Sequence, residues 1–281
     1  MKTPQIRYVA AQWTMLGYPT PSQEWSLDQK LSTAKASGFD AFAFYIPDPS
    51  LPELAKKHQL QLLGYIASGK ASEFAEKLKL NKDLGAHHIN VQMADEDTLT
   101  PEALGLAILL IQEGRKLGVE PAIEVHRDTC TETPEKTYAL AEAYQKVTGE
   151  LMPMTWDFSH LSVVKHLAPS NYIEKMIIRP DLIQRAQQFH FRPFNGHHAQ
   201  VPVTDGKGNL TLEVKEWLPF AEAVMKCWLE GNRNSDREFF VCPELGPVVG
   251  GYNLSTLPNS WEEAQVLRVE IEKIWTRLRD Y

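Results

Sequence analysis

Pro121-Ala122-Ile123-Glu124-Val125-His126 is an apolar run with a carboxylate near its end. The run Met154-Thr155-Trp156-Asp157-Phe158-Ser159 carries Asp157, 33 positions after Glu124. Between the two, residues 135–147 repeat apolar side chains at helical spacing. Thr133-Pro134-Glu135 opens that stretch with the chemistry of a helix N-cap and first turn. A third run, QFHFRPF (188–194), places His190 a further 33 positions on. Strand, helix and strand again within one such interval is the pattern of parallel strands joined by crossover helices, and the even spacing samples the same level of successive strands.

Working outward from this unit, the alternation occurs eight times. The other strand candidates are 6–13 (IRYVAAQW), 40–46 (DAFAFYI), 61–67 (QLLGYIA), 87–93 (HHINVQM) and 239–245 (FFVCPEL). Helical spacing recurs over 26–37, 51–58, 72–84 and 101–117, and the last helix is expected over 261–279, with Leu267, Ile271, Ile274 and Leu278 on the face that packs on the barrel. Gly38, Gly85 and Gly118 follow three of these stretches where a left-handed C-cap is expected. Eight parallel units can close on themselves, so the expected fold is α/β, a (β/α)8 barrel occupying residues 1–281 as a single domain. The rival, an open doubly wound sheet, is disfavoured because the first strand-to-helix turn, WTMLGYPTPS (13–22), has no GxGxxG and no P-loop occurs.

Composition agrees with a folded enzyme-sized chain: 281 residues, 43% hydrophobic and 23% charged, which excludes disorder and collagen. The formal charge of −7 and the scattered Lys and Arg residues argue against nucleic acid as a partner. Cys130, Cys227 and Cys242 are odd in number and widely spaced, which suits free thiols in a reducing compartment. The N-terminus lacks a sustained apolar segment, and no run approaches the ~18 apolar residues of a membrane span, so a cytoplasmic protein without membrane attachment is expected.

In such a barrel the chemistry lies where strands end and the following loops begin. Glu124, Asp157, His190 and Glu244 fall late in the fifth to eighth strand candidates. Three carboxylates converging at one mouth repel one another unless a positive charge sits among them. A divalent cation supplies that charge, and three oxygen donors with one imidazole suit Mn²⁺ best, with Mg²⁺, Co²⁺ or Zn²⁺ as alternatives.

This ordered set resembles the xylose isomerase-like TIM barrels, which include sugar epimerases, inosose dehydratases and endonuclease IV-type enzymes. The resemblance extends to the DxxH pattern Asp157-Phe158-Ser159-His160 and to the strand and helix order of nearly the whole chain. It implies that Glu124, Asp157, His190 and Glu244 bind one metal ion. It implies that Glu124 and Glu244 exchange a proton across an enediolate, and that His160 orients a substrate oxygen or water. The implied activity is isomerisation or epimerisation of a keto sugar or related polyol, with dehydration of an inosose or β-elimination from a 3-keto glycoside as the alternative. Endonuclease IV-like cleavage fits less well, because the third strand ends Gly64-Tyr65-Ile66-Ala67 without a histidine. An inactive sugar-binding subunit is a further alternative, and dimers or tetramers are common in that family. This chain departs from the family at strand seven, where Phe191-Arg192-Pro193 stands in place of the usual Asp or Asn after the histidine.

Other residues near the expected mouth are candidates for substrate contact. Period-two geometry puts His126 on the side of Glu124 and Arg192 on the side of His190. Arg192 suits an anionic or hydroxyl-rich substrate, or a salt bridge with a neighbouring acid. Trp13, Tyr45, Trp156 and Phe194 are aromatic candidates for stacking on a sugar, and Gln92 is a polar one late in strand four. His197 and His198, in the loop after strand seven, are alternative metal ligands or substrate contacts. His87 and His88 begin strand four at the opposite end and read as structural.

Overall fold

The structure, a computed structural model, describes residues 2–252 and 254–279. Eight strands form a closed barrel in sequential order: β1 Gln5–Ala11, β2 Ala41–Ala43, β3 Gln61–Ser68, β4 His88–Met93, β5 Glu120–Glu124, β6 Met154–Trp156, β7 Gln188–His190 and β8 Glu238–Cys242. Every neighbouring pair is parallel, including β1 with β8. The helices are α1 Leu27–Ala36, α2 Leu51–His58, α3 Phe74–Asp83, α4 Thr100–Leu117, α5 Pro134–Thr148, α6 Phe158–Lys165, α7 Tyr172–Met176, α8 Pro180–Arg185, α9 Leu212–Asn232 and α10 Ser260–Arg279. None of these helices is long and apolar enough to cross a membrane.

Alternation along the strands divides the core in two. Outward residues such as Tyr8, Ala10, Ile89, Val91, Ile123, Phe189, Phe239 and Val241 join the main cluster with the helices. Val9, Ala11, Ala41, Leu63, Phe240 and Cys242 form a separate, smaller cluster on the other face of β1, β2, β3 and β8. The same parity turns His88, Asn90 and Gln92 of β4, and Glu120, Ala122 and Glu124 of β5, to the barrel interior. Polar interior columns on these two strands therefore run from one mouth to the other.

Local signals act where the sequence places them. The Thr133 hydroxyl accepts from Lys136 N and caps α5, and Gly118 ends α4 at φ 70°, a conformation that costs glycine little. The expected strands over 154–159 and 188–194 are shorter in the structure: β6 stops at Trp156 and β7 at His190. β6 stops because Asp157 turns into the cap of α6, its Oδ1 accepting from Ser159 N at 3.0 Å. The 21-residue α9 fills the interval between the seventh and eighth strands, for which the sequence reading gave no helix bounds, and it carries Pro219 in its interior. Cys130, Cys227 and Cys242 are all buried and unpaired.

Candidate active site

Each of the four central side chains is set by the end of its own strand. Glu124 is the last residue of β5, Asp157 follows β6, His190 ends β7, and Glu244 lies two residues beyond β8. Barrel closure brings one ligand atom from each to within 4.8 Å of all the others. Glu124, Asp157 and His190 are buried, at 1%, 0% and 7% exposure, whereas Glu244 is partly open.

Glu124 Oε2 accepts from Asn90 Nδ2 at 2.7 Å, so the neighbouring interior column fixes the carboxylate. Its other oxygen, Oε1, lies 2.8 Å from His190 Nδ1, which is also 3.4 Å from Glu244 Oε2. Neither Glu124 Oε1 nor His190 Nδ1 has a partner with hydrogen-bond geometry among the described residues. Two buried atoms without hydrogen-bond partners, a carboxylate oxygen and an imidazole nitrogen that presents a lone pair when the ring is neutral, lie close together and flanked by two more carboxylates, a donor set that fits a divalent cation. Burial pushes the Glu124 carboxyl up, but the charge and contact of His190 outweigh it and hold the group at about 2. Burial pushes His190 down, and Glu244 and Glu124 reverse this and hold it well above the ordinary histidine value.

Asp157 belongs to a second network. Arg192, 2% exposed, donates from Nη2 to Asp157 Oδ2, to Ser159 Oγ at 3.0 Å and to His160 Nε2 at 3.0 Å, and from Nε to Ser159 Oγ at 3.1 Å. Burial raises the Asp157 carboxyl, yet the Arg192 charge holds it below the usual carboxylate range. Since an arginine always donates, His160 Nε2 accepts and the ring is neutral, in line with the lowering of its pKa by burial. Of the two contacts considered from the sequence, the structure shows the salt bridge to an acid, and Arg192 Nη1 also lies 3.8 Å from Glu244 Oε2 at the cavity wall.

A cavity of about 250 Å³ opens onto the cluster, lined by Trp13, Tyr45, Tyr65, Asn90, Gln92, His126, Arg127, Arg192, Glu244 and Tyr252. Trp13, Gln92, His126 and Arg192 thus lie on one wall system with Glu244, as does Tyr45. Gln92 Oε1 accepts from Tyr65 OH at 2.7 Å, and His126 Nδ1 contacts Arg127 O at 2.5 Å with its ring 4.3 Å from that of His160. Gly246 leaves room for Trp13, since a Cβ there would lie 2.4 Å from its Cη2. Trp156 and Phe194 are instead buried in the core, the former stacked on Phe158 at 4.9 Å. His160 is buried behind Asp157 and is not among the lining residues. His197 and His198 are exposed, in a turn where Asn195 Oδ1 accepts both of their backbone N–H groups, away from the cluster. A wider cavity of about 530 Å³ between Leu16–Pro21 and Pro258–Ser260 carries one carboxylate, Glu24, and no comparable cluster.

Asn90, Tyr65, Arg127 and Tyr252 were not among the sequence candidates. Parity with Gln92 could have found Asn90, but Tyr252 lies on the short helical turn Val248–Tyr252 beyond β8 and reaches the site only in three dimensions. Its ring lies 5.1 Å from the Arg192 guanidinium carbon and 5.2 Å from that of Arg127.

No protein-family model and no curated protein matches the sequence. Among solved structures, the chain is similar to a D-allulose 3-epimerase from Methylomonas sp. in complex with D-allulose, at 12% identity and TM-score 0.62 over 99% of each chain. It is similar to a xylose isomerase-like TIM barrel protein from Mycobacterium smegmatis in complex with magnesium, at 13% identity and TM-score 0.57, covering 95% of this chain and 97% of that one. The fold is a xylose isomerase-like TIM barrel. The chain is also similar to a probable 3-DHS dehydratase from Bacillus anthracis, at 13% identity and TM-score 0.58, over 96% of this chain and 98% of that one.

Proposed function

We propose that the protein is a divalent-cation-dependent isomerase or epimerase of a keto sugar or related polyol. The observation that carries this reading is the cluster Glu124, Asp157, His190 and Glu244, with its orphaned buried donor atoms, opening onto a small cavity walled by aromatic and amide side chains. A divalent ion held by these four residues supplies polarisation of a substrate carbonyl, which acidifies the adjacent C–H. Glu244, partly exposed and on the cavity wall, is the base best placed to remove that proton. Glu124, with Oε2 tied to Asn90 and Oε1 free of hydrogen bonds, serves as the second carboxylate for return of a proton through the enediolate. Asp157 and His190 complete the cation site. Arg192 and His160 position Asp157, Trp13 and Tyr45 give the sugar an apolar face, and Gln92 and His126 offer polar contacts to its hydroxyls.

The test is proton exchange. Protein loaded with Mn²⁺ is incubated in D₂O with a panel of ketohexoses and 3-keto glycosides, and deuterium beside the carbonyl is followed by NMR. Exchange with a change of configuration supports epimerisation, exchange with loss of a leaving group redirects the assignment to β-elimination, and no exchange with any compound overturns the proposal. Glu244→Gln is expected to keep bound metal and lose about 10²–10⁴-fold in turnover. Near-normal turnover in that variant would remove Glu244 from the chemistry.

A further inference from the structure

The interior columns of β4 and β5 carry a second histidine and carboxylate cluster at the other end of the barrel. His87, His88 and Glu120 each offer one ligand atom, all within 4.8 Å of one another. His88 and Glu120 are direct partners in the β4–β5 register, and Glu120 N donates to His87 O at 2.8 Å, so rigid strand ends rather than a loop tip hold the group. His88 Nδ1 lies 3.2 Å from Glu120 Oε2, and His87 Nε2 lies 3.6 Å from Glu120 Oε1. Tetrahedral zinc, with bonds of about 2.0–2.1 Å to imidazole and carboxylate, separates neighbouring ligand atoms by about 3.3 Å, between these two values.

Three further features point to a ligand. His88 Nδ1 is buried and has no hydrogen-bond partner among the described residues, the property that also marks His190 Nδ1 at the catalytic mouth. Buried Gln187 donates from Nε2 to Glu120 Oε2 at 2.8 Å, the outer contact that orients a ligating carboxylate. His87, His88, Phe240 and Glu238 border a cavity of about 420 Å³, with room for a water in the fourth position. The His88 ring packs at a tilt against Phe240, with centroids 4.7 Å apart, which restricts its orientation.

We propose that His87, His88 and Glu120 form a zinc site at the N-terminal rim of the barrel, clamping β4 to β5. From Glu120 to Glu124 is four strand residues, about 13 Å, so this site is separate from the proposed catalytic ion. Its ligands are two neutral imidazoles and one carboxylate, a softer set than the oxygen-rich catalytic mouth, and zinc is the ion that suits them. The N-terminal face is where a barrel of this type keeps its stabilising features.

The test is Zn²⁺ uptake by chelator-treated protein in competition with a chromophoric chelator, together with the unfolding temperature. Wild type, His87→Ala and Glu120→Gln are compared, and each is also made in a Glu124→Gln/Asp157→Asn background that disables the central cluster. His87 and Glu120 are about half exposed, so these variants are expected to fold. The expected result is one zinc per chain in the central-site background, weakened about 10–100-fold or more by either rim substitution, with the zinc-induced rise in unfolding temperature lost in parallel. If the central-site background does not fold, the same rim-dependent loss is read in the otherwise wild-type chain. Zinc binding that is unchanged by both rim substitutions, or absent from wild type, overturns the proposal. Neither result bears on whether the central cluster performs the proposed chemistry.

Discussion

Arg192 joins the two networks of the candidate site, because one enclosed guanidinium meets Asp157, Ser159 and His160 and reaches within 3.8 Å of Glu244. Asp157 is fully buried, and without that charge it would be an uncompensated carboxylate in a medium that disfavours it. Arg192→Leu is therefore expected to lower the unfolding free energy of metal-free protein by about 3–5 kcal/mol, measured by urea denaturation. Arg192→Lys should recover only part of this, since an ammonium keeps the charge but cannot span Ser159 and His160 with one planar fork. A loss below about 1 kcal/mol in the leucine variant would mean that Asp157 is stabilised by something other than Arg192. Sequence parity was enough to put Arg192 beside His190, but it left the choice between substrate contact and salt bridge open. That choice depends on where Asp157 stands, and Asp157 arrives from a different strand.

At the scale of elements, α4 shows how closely the helices approach the barrel. A Cβ on Gly114 would lie 2.4 Å from Pro121 Cδ at the start of β5 and 3.1 Å from Val119 O, neither of which can yield easily. A Cβ on exposed Gly105, in the same helix, would meet nothing within 4 Å. Replacing glycine by alanine favours a helix by about 1 kcal/mol, whereas overpacking costs about 1–3 kcal/mol. Gly105→Ala should therefore raise the unfolding free energy by about 0.5–1 kcal/mol, and Gly114→Ala should lower it by about 1–2 kcal/mol. Equal effects in thermal or urea unfolding would show that α4 can shift away from β5. The sequence made this helix legible through its spacing and Gly118, but the close contact at Gly114 follows from the packing of α4 on Pro121. The bounds of α9 were not legible in the same way, since Pro219 in its interior removes one backbone donor and the packing around it keeps the helix continuous.

Across the whole molecule, barrel closure turns four separate strand ends into one candidate cation site, so occupancy should stabilise the entire fold. An ion that binds the folded chain alone adds about 2.7 kcal/mol at 100 times its dissociation constant. At a few degrees per kcal/mol for a chain of this size, Mn²⁺ at that excess should raise the unfolding temperature of chelator-treated protein by about 5–10 °C. Glu124→Gln/Asp157→Asn should abolish the shift. A shift that survives in this double variant, read in the His87→Ala background to remove the rim residues, would place the Mn²⁺ site elsewhere. The oxygen-rich mouth and the histidine-rich rim share one interior column, that of β5, through Glu124 and Glu120, and differential scanning with Mn²⁺ and Zn²⁺ separates their contributions.

Amino-acid order alone determined the alternation of strand and helix, the parity that turns Glu124, Asp157 and His190 inward, and the end of the barrel at which they lie. These are local properties: side-chain period along a strand, turn chemistry at a helix end, and a repeat length of one crossover unit. Only the tertiary structure decided which atoms meet. It paired Glu124 with Asn90, gave Arg192 to Asp157, brought Tyr252 against two arginines, left His197 and His198 outside, and set His88 against Glu120. Those contacts join residues from different strands and loops, and their geometry exists only once the barrel is closed.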